Sequence, residues 1–473
     1  MSQGIEGELW GLDLGDERLN TRGRKVIEAL AANPEASVNA AMSGGGDTQA
    51  AYRFFSHERV TPELILEPHR QATIERMREQ RVVLVVQDTT ELDDTDHPTR
   101  AALCLNSEHR FGIYQHVQLA ITPERLPLGV VETKSFDRAP ETLGKKKKKE
   151  KQPIEDKESF RWLEGYRRAC DLAVQCPQTQ VISIADREAD IYDIFLEAQQ
   201  HSGSEAPQCS GPRADDLIRA HENRSTPELN RAESRRTYHK VRDVLERSPL
   251  RTTHTIELSA TPQRKARQAQ LEVRAIRTLV KPPNHRPGLE AITHNVILVH
   301  EINGPGDGTD VRWLLVATLP IETVAEILLA VDYYAARWTI ETYFRTFKVG
   351  CQVEKIMLET RSRLLNCLAM YHIIAWRILH LTYLNRTSPD QPCTTVFADH
   401  EWKPVWRIVR KTALPKSPPR LHEFMQLLTQ LGGYNNRAKE LPAGPQPVWI
   451  GLRRMLDYST AWLAFGEPQE SCV

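Results

Sequence analysis

The spacing of apolar positions changes twice along the chain and divides it into three parts. Up to about residue 70, apolar residues recur with a helical period, as in LNTRGRKVIEALAANP. From about residue 80 the apolar residues form continuous runs, and RVVLVVQDTT at 81–90 is typical of a strand buried on both faces. Helical spacing returns in the last part of the chain. We therefore predict domains over 1–70, 71–384 and 385–473.

The central part has the element order of a mixed α/β domain. Further strands are predicted at 114–122, 127–136 and 179–190, with an amphipathic helix at 159–176 and another after residue 190. Between about 203 and 310, short strand-like runs separated by Pro, Arg and Ser predict an antiparallel β insertion. The expected fold class is α/β, with a mixed-sheet core, a β insertion and helical domains on both sides.

A helix predicted from about 322 to 348 carries its polar residues on one narrow stripe. At about 100° per residue, four of them fall within roughly 60° of arc and two more lie on the same side. The four are Tyr334, Arg337, Glu341 and Lys348, and the two are Trp338 and Arg345. One interpretation is a solvated face stabilised by an ion pair between residues four apart. The other is a binding surface in which one carboxylate lies among cations.

Two further acids follow apolar runs. Asp88 closes VVLVVQ and Asp186 closes VISIA, so both are expected at the carboxyl edge of the sheet, where α/β proteins place ligands. Together with Glu341 they form a set of hard oxygen donors without Cys or His, which suits Mg²⁺ or Mn²⁺. Two such ions can activate a water or a hydroxyl for attack on a phosphodiester. The neighbouring cations would then bind DNA phosphates.

Simpler interpretations of the two strand-end acids stay open. Asp88 alone could cap a backbone N–H in a turn. The acids of ADREAD at 185–190 could instead mark the N-terminus of a helix, where negative charge is favourable.

Composition limits the class of protein. Lys and Arg together equal Asp and Glu at 62 each, so net charge neither favours nor excludes nucleic acid. The eight cysteines form no CxxC pair, which favours a reduced cytosolic compartment with cysteines as small buried residues. We expect no membrane segment, because no apolar run reaches the roughly 18–20 residues that span a bilayer. No P-loop motif is present, and a nucleotide cofactor is not expected.

These motifs resemble those of bacterial insertion-sequence transposases of the DDE type. QDTT resembles the first catalytic motif of that family and ADREAD the second. The third is matched by Y-x2-R-x3-E-x6-K, which begins at Tyr334. LGDERLNTRGRKVIEALA and AYRFF resemble the family's end-recognition domain, and LGGYNN through WIGLRRML its dimerisation domain. The resemblance implies an RNase H-like, retroviral-integrase-like catalytic core and two metal ions held by Asp88, Asp186 and Glu341.

The resemblance also implies a set of DNA contacts. Trp313 resembles a tryptophan that stacks on a base flipped out near the transposon end, although its aliphatic neighbours equally suit a strand core. Arg219 resembles a DNA-contacting arginine of the β insertion. The remaining expected contacts are Tyr334, Arg337, Arg345 and Lys348 at the active site, and Arg18, Arg22 and Arg53 in the N-terminal domain. The lysine run at 145–151 is either a solvated loop or a non-specific DNA contact.

The function implied is cut-and-paste transposition by a homodimer. Its partners would be double-stranded DNA, as transposon ends and as target, in a bacterial cytoplasm and on the nucleoid when bound to DNA. Cleavage would proceed by hydrolysis and hairpin formation, followed by joining of the 3′ ends to target DNA. Two alternatives stay open: a nuclease of the same fold that cuts without joining, and a catalytically silent DNA-binding regulator.

Overall fold

The computed structural model describes residues 4–96, 103–107, 109–138, 153–199, 213–228, 237–258, 265–284, 286, 288–435, 437 and 442–466. The lysine run at 145–151 lies outside them. Two compact units are distinguished by their internal contacts. The terminal unit comprises Met1–Arg76, Thr89–Leu143 and Thr339–Val473, and the central unit comprises Met77–Asp88 and Gly144–Trp338. The three-part division along the chain stays a prediction.

Helices dominate both ends of the chain, as predicted. In the described residues the α-helices are α1 (Glu17–Ala32), α2 (Val38–Ala41), α3 (Gly45–Ser56), α4 (Pro62–Arg78), α5 (Phe160–Gln175), α6 (Tyr192–Gln199), α7 (Val241–Arg247), α8 (Val324–Ala336), α9 (Thr339–Arg345), α10 (Arg361–Thr387), α11 (Asp399–Arg410), α12 (Leu421–Leu431) and α13 (Pro445–Phe465). Local signals set several of their starts. The Thr61 hydroxyl accepts a hydrogen bond from the Leu64 N–H ahead of α4, which begins at Pro62, where a missing N–H has no cost.

The described strands are β1 (Val82–Asp93), β2 (Leu103–Cys104), β3 (Phe111–Ile121), β4 (Pro127–Phe136), β5 (Gln180–Ala185), β6 (Asp215–Arg219), β7 (Ser225–Glu228), β8 (Thr237–Lys240), β9 (Thr252–Leu258), β10 (Arg267–Val280), β11 (Ile292–Glu301) and β12 (Arg312–Ala317). With the helical ends, they confirm the mixed α/β fold class. The hairpin predicted over 114–136 is the antiparallel pair β3 and β4. The glycine-rich stretch at 43–47 would suit a break between helices, but α3 begins within it, at Gly45.

In the terminal unit, a buried hairpin packs against helices. Gly129 on β4 allows α4 to approach, since a Cβ there would lie 1.8 Å from the Thr73 hydroxyl. The indole N–H of Trp376 on α10 donates to the Pro127 carbonyl at 3.0 Å. His116 on β3 is buried and bonds the Thr89 hydroxyl at 2.9 Å, as expected of a structural residue of the sheet. Among the described helices, α10 has the length and composition to cross a bilayer, but 83% of its most apolar window is buried, as in a core helix.

In the central unit, the strand order is β1-β5-β6-β12-β11-β10-β9. β1, β5 and β6 run parallel, and the following strands are antiparallel. The segment predicted as a β insertion therefore extends the sheet from β6. β6 itself lies inside that predicted segment but pairs in parallel with β5. The continuous apolar runs of β1 and β5 are buried, as the sequence predicts for strands covered on both faces.

The single helix predicted from 322 to 348 is wrong. α8 ends at Ala336, the chain turns at Arg337 and Trp338, and α9 begins at Thr339. The N–H groups of Arg337 and Trp338 bond the carbonyls three residues back, at 3.1 Å and 3.4 Å, so the helix tightens and ends there. A π-helix then covers Thr346–Gly350. The stripe of polar residues is therefore spread over three separate helical segments.

Candidate active site

Asp88 and Asp186 occupy equivalent positions on neighbouring parallel strands. β1 and β5 are paired up to Val86 and Ile184, and each aspartate follows its strand's last paired residue by two positions. Side chains two positions apart lie on the same face of a strand, and paired strands are about 4.8 Å apart. The register therefore brings the two carboxylates to the same edge and face. One detail of the prediction is wrong: β1 continues to Asp93, so Asp88 lies inside the strand rather than at its end.

Arg337 binds Asp88. Its Nη1 lies 2.8 Å from Asp88 Oδ2, and the side chains are only 9% and 20% exposed. Arg337 is therefore not part of a solvated face, because it is buried and one of its partners is a carboxylate 249 residues away in sequence. The alternative of an Arg337–Glu341 pair stays a prediction. The turn that ends α8 orients this guanidinium. A cation thus adjoins the first of the two strand-end acids.

The acids of the ADREAD segment have different partners. Asp186 is half-buried and accepts a hydrogen bond from the Glu188 N–H at 2.8 Å, which starts the 3₁₀ turn Arg187–Ala189. Glu188 bonds the buried guanidinium of Arg161 on α5 at 3.0 Å. Asp190 accepts hydrogen bonds from the loop after β6.

The partners of Asp190 are the backbone N–H groups of His221 and Glu222 and the side chain of Arg224. The Asp190 and Arg224 side chains are almost fully buried, at 2% and 8% exposure. The structural roles of Glu188 and Asp190 were not predicted from the sequence. The acids of ADREAD recur at every second position, which marks the segment as unusual, but the neighbouring sequence does not show which residues they bind.

A group of packed aromatic residues forms another part of this candidate site. Trp313 on β12 is 4% exposed and meets Tyr334 edge-to-face, with ring centroids 4.9 Å apart. Trp338 adjoins the same indole at 5.9 Å. In this conformation Trp313 matches the strand-core alternative, because its ring faces are covered by protein. Stacking on a flipped base would require Trp338 or Tyr334 to move.

Tyr334 and Arg219 complete the group. Burial raises the pKa of the Tyr334 hydroxyl, while Arg337 and Arg219 act in the opposite direction and Asp186 adds to the rise. The hydroxyl is thus protonated at neutral pH. Arg219 on β6 donates to the Arg312 carbonyl at 3.3 Å and bonds the Tyr334 hydroxyl. Six of the predicted site residues are therefore gathered in the central unit: Asp88, Asp186, Arg219, Trp313, Tyr334 and Arg337.

The other three active-site residues belong to the terminal unit. Glu341 and Arg345 are both exposed on α9, four residues apart on one face. Lys348 lies in the π-helix, donates to the Glu91 carbonyl at 2.8 Å and pairs with Glu354 at 3.1 Å. Within the described ranges, no group of three or more His, Cys, Asp or Glu side chains is arranged to hold a metal ion. The metal triad stays a prediction.

The basic residues predicted to bind DNA ends lie on the N-terminal helices. Arg18 on α1 and Arg53 on α3 are exposed. Arg22 is half-buried, lies 3.9 Å from Asp47, and lines a cavity of about 850 Å³. That cavity is also lined by residues of α10, α11 and α13. Arg18 and Arg53 are thus the two cations of this set that face solvent.

Two known protein families match parts of this chain. Residues 1–60 match the transposase DNA-binding family, and residues 373–461 match the transposase Tn5 dimerisation domain. The two matches show a transposase DNA-binding domain and a transposase dimerisation domain in one chain, which supports DNA and a second copy of the chain as partners. Together the two matches support a Tn5-type insertion-sequence transposase.

Proposed function

We propose that this transposase excises its element and joins it to target DNA by successive phosphoryl transfers at one site per subunit. The observation that carries the proposal is the common register of Asp88 and Asp186, with Arg337 bound to Asp88. The DNA-binding and dimerisation domains would bring two such sites to two element ends. We further propose that the protein acts in the bacterial cytoplasm, on the nucleoid when bound to DNA.

Asp88, Asp186 and Glu341 would hold two Mg²⁺ or Mn²⁺ ions. Their carboxylate oxygens are the donors that these cations prefer, and the register of the two aspartates would allow both to bind the same metal ion. When bound, the ions would supply an activated water or hydroxyl and stabilise charge on the leaving oxygen.

The proposed reaction consists of four successive phosphoryl transfers. Water attacks at the 3′ end of the element and releases a 3′-hydroxyl, which then attacks the opposite strand and leaves a hairpin. A second water opens the hairpin, and the 3′-hydroxyl attacks target DNA. Each attack forms one P–O bond and breaks another, so no nucleotide cofactor is required. Arg337, Tyr334, Arg345 and Lys348 would position the terminal phosphates.

Two assays distinguish this function from its alternatives. Purified protein is incubated with Mn²⁺, DNA carrying the element ends, and a target plasmid, and products are separated on denaturing gels. Hairpin ends and joints between element and target support transposition. Cut ends without joints would indicate a nuclease, and binding without any cut would indicate a regulator.

We expect Arg337→Lys to lower hairpin formation on pre-nicked ends by about 10–100-fold, or about 1.4–2.7 kcal/mol. A guanidinium can bind oxygen acceptors through two parallel N–H groups, whereas an ammonium acts as a point charge. Because Arg337 is 9% exposed and holds Asp88, the variant should also lose some thermal stability. Rates are therefore compared per folded molecule.

The matched control for this variant is Arg167→Lys, which changes in the same way an arginine on α5 that is 48% exposed and has no role in the proposed site. We expect it to lower the rate by less than about threefold, since an exposed side chain loses little preorganisation. Equal losses in the two variants would contradict a special role for the buried guanidinium.

We expect Arg18→Ala and Arg53→Ala to weaken end binding and to reduce its salt dependence. Each lost phosphate contact should lower the slope of log K against log salt by about 0.9. The measurement is fluorescence anisotropy with end and random duplexes between about 50 and 200 mM salt, the range over which such contacts matter. Arg420→Ala is the control, because this arginine is 72% exposed but lies outside the DNA-binding match. An unchanged slope in both variants would place the phosphate contacts elsewhere.

A further inference from the structure

A buried chain of hydrogen bonds links α9 to the β3–β4 hairpin within the terminal unit. The Tyr343 hydroxyl on α9 lies 2.6 Å from Nδ1 of His372 on α10. Nε2 of His372 lies 3.3 Å from the side-chain oxygen of Gln115 on β3, and the Gln115 amide nitrogen donates to the Ser135 hydroxyl on β4 at 2.9 Å. Tyr343, His372 and Gln115 are each at most 1% exposed. The contacts therefore form without competition from water.

The acceptor atoms determine which group donates each hydrogen bond in this series. The side-chain oxygen of Gln115 can only accept, so Nε2 of His372 carries a proton and donates it. Burial lowers the pKa of His372 to about 3, so the ring is neutral and Nδ1 is an acceptor. The Tyr343 hydroxyl therefore donates to His372. Burial also keeps the pKa of this hydroxyl well above its usual range, so it keeps its proton.

Ring packing holds the same contact from the side. Phe347 stacks on the imidazole of His372 with centroids 4.2 Å apart and planes 11° apart. Tyr343 and Phe347 are four residues apart and face α10 together. Glu341 lies about 200° away from Tyr343 around the helix and is exposed. The buried face of α9 thus sets the direction of its exposed face.

We propose that Tyr343, His372 and Gln115 are positioning residues that fix the rotation of α9 and so aim the Glu341 carboxylate. The inference rests on the proposed function, in which Glu341 holds a catalytic metal ion. Rotation of α9 would separate the Tyr343 hydroxyl from an acceptor that water cannot replace. A metal ligand must be held to within about 0.5 Å, which a seven-residue helix does not achieve by its own hydrogen bonds.

The test compares Tyr343→Phe with Tyr371→Phe. Both tyrosines are fully buried, but the Tyr371 hydroxyl has no hydrogen-bond partner within the described residues. Mn²⁺ binding to the complex with a DNA end is measured by electron paramagnetic resonance, with thermal midpoint and end affinity alongside. We expect Tyr343→Phe to weaken Mn²⁺ binding by about 3–10-fold without changing end affinity. Tyr371→Phe should leave both unchanged.

Two further variants make the result decisive. His372→Gln keeps one donor and one acceptor and should weaken Mn²⁺ binding less than His372→Leu, whether or not Tyr343→Phe folds well. Glu341→Gln tests the proposed function itself, because it removes the ligand and leaves the chain intact. Weaker Mn²⁺ binding in Glu341→Gln, but wild-type binding in Tyr343→Phe and His372→Leu, would overturn the positioning role alone. Wild-type binding in Glu341→Gln would overturn the proposed metal site.

Discussion

Asp88→Asn and Asp186→Asn should each lower DNA cleavage by on the order of 10³-fold or more, equivalent to about 4 kcal/mol of transition-state stabilisation. Each substitution removes one negative charge from the pair that the β1–β5 register brings together. Asn keeps the size of the side chain and one acceptor oxygen, so the backbone need not move. Cleavage is measured on element ends with Mg²⁺ and with Mn²⁺, and end binding by gel shift.

The same two variants should differ in stability. Asp88 is a partner of Arg337, and neutralising it removes one negative charge beside a guanidinium that is only 9% exposed. We expect Asp88→Asn to lower the free energy of unfolding by about 1–3 kcal/mol, less than for a fully buried pair because Asp88 retains 20% exposure. Asp186→Asn should be close to wild type, since its Glu188 N–H contact can be kept by the amide oxygen.

The comparison separates catalysis from folding. Asp186→Asn is the informative variant, because its loss of cleavage cannot be attributed to unfolding. Near wild-type cleavage in a folded Asp186→Asn protein would remove this residue from the active site. A large drop in its thermal midpoint would mean that the ADREAD segment is structural throughout.

The strands and their acids are the part of the site that the sequence predicts well. Continuous valine-rich and isoleucine-rich runs are typical of strands buried on both faces, and an acid that follows such a run is expected close to where the pairing of two parallel strands ends. Asp88 directly follows VVLVVQ and Asp186 directly follows VISIA, and in the paired strands each lies two positions beyond the last pair of β1 and β5, Val86 and Ile184. These predictions need only the local sequence pattern and the parallel pairing of β1 with β5.

The turn at Arg337 is different, because its cause is not local. The residues around it, AARWTIETYF, are all compatible with a continuous helix. The guanidinium instead finds a carboxylate 249 residues earlier in the chain, and the helix ends where that contact is made. Trp313 is similar, since its burial depends on Tyr334 and Trp338 from another part of the chain. Tertiary contacts of this kind override helix propensity and helical periodicity.

A second large effect is expected in the terminal unit, at the attachment of the N-terminal segment. Glu8 lies in the 3₁₀ helix Ile5–Leu9 and bonds His69 at 2.6 Å and Arg76 at 2.9 Å, both on α4. The Val130 N–H donates to Nε2 of His69 at 3.0 Å, so that ring is neutral with its proton on Nδ1, facing Glu8. Arg76 is therefore the counter-charge of Glu8. This cluster connects the DNA-binding segment to β4.

The pKa shifts set the pH range in which the cluster stabilises the fold. Burial alone would raise the pKa of Glu8, but His69 and Arg76 outweigh it and hold the pKa well below its ordinary value of 4.5. A depressed carboxyl pKa contributes stability above the ordinary value, and this contribution is lost as pH falls below it. Burial lowers the pKa of His69 below its ordinary value of 6.5. As pH falls, His69 therefore binds a proton in the unfolded chain before it does so in the folded chain. The free energy of unfolding should consequently also decline below pH 6.5.

We therefore expect Glu8→Gln to lower the free energy of unfolding at pH 7 by about 2–4 kcal/mol, because Arg76 keeps its charge in a partly buried site. The measurement is urea unfolding followed by circular dichroism from neutral pH down to below the ordinary carboxyl pKa of 4.5. The gap between wild type and variant should narrow below pH 4.5, where wild-type Glu8 begins to lose its advantage. Glu17→Gln is the control: Glu17 also bonds an arginine, Arg24 at 2.6 Å, but is 74% exposed and should leave the midpoint unchanged. A gap that stays constant with pH would show that Glu8→Gln disturbs packing rather than charge, and equal losses in both variants would refute the buried network.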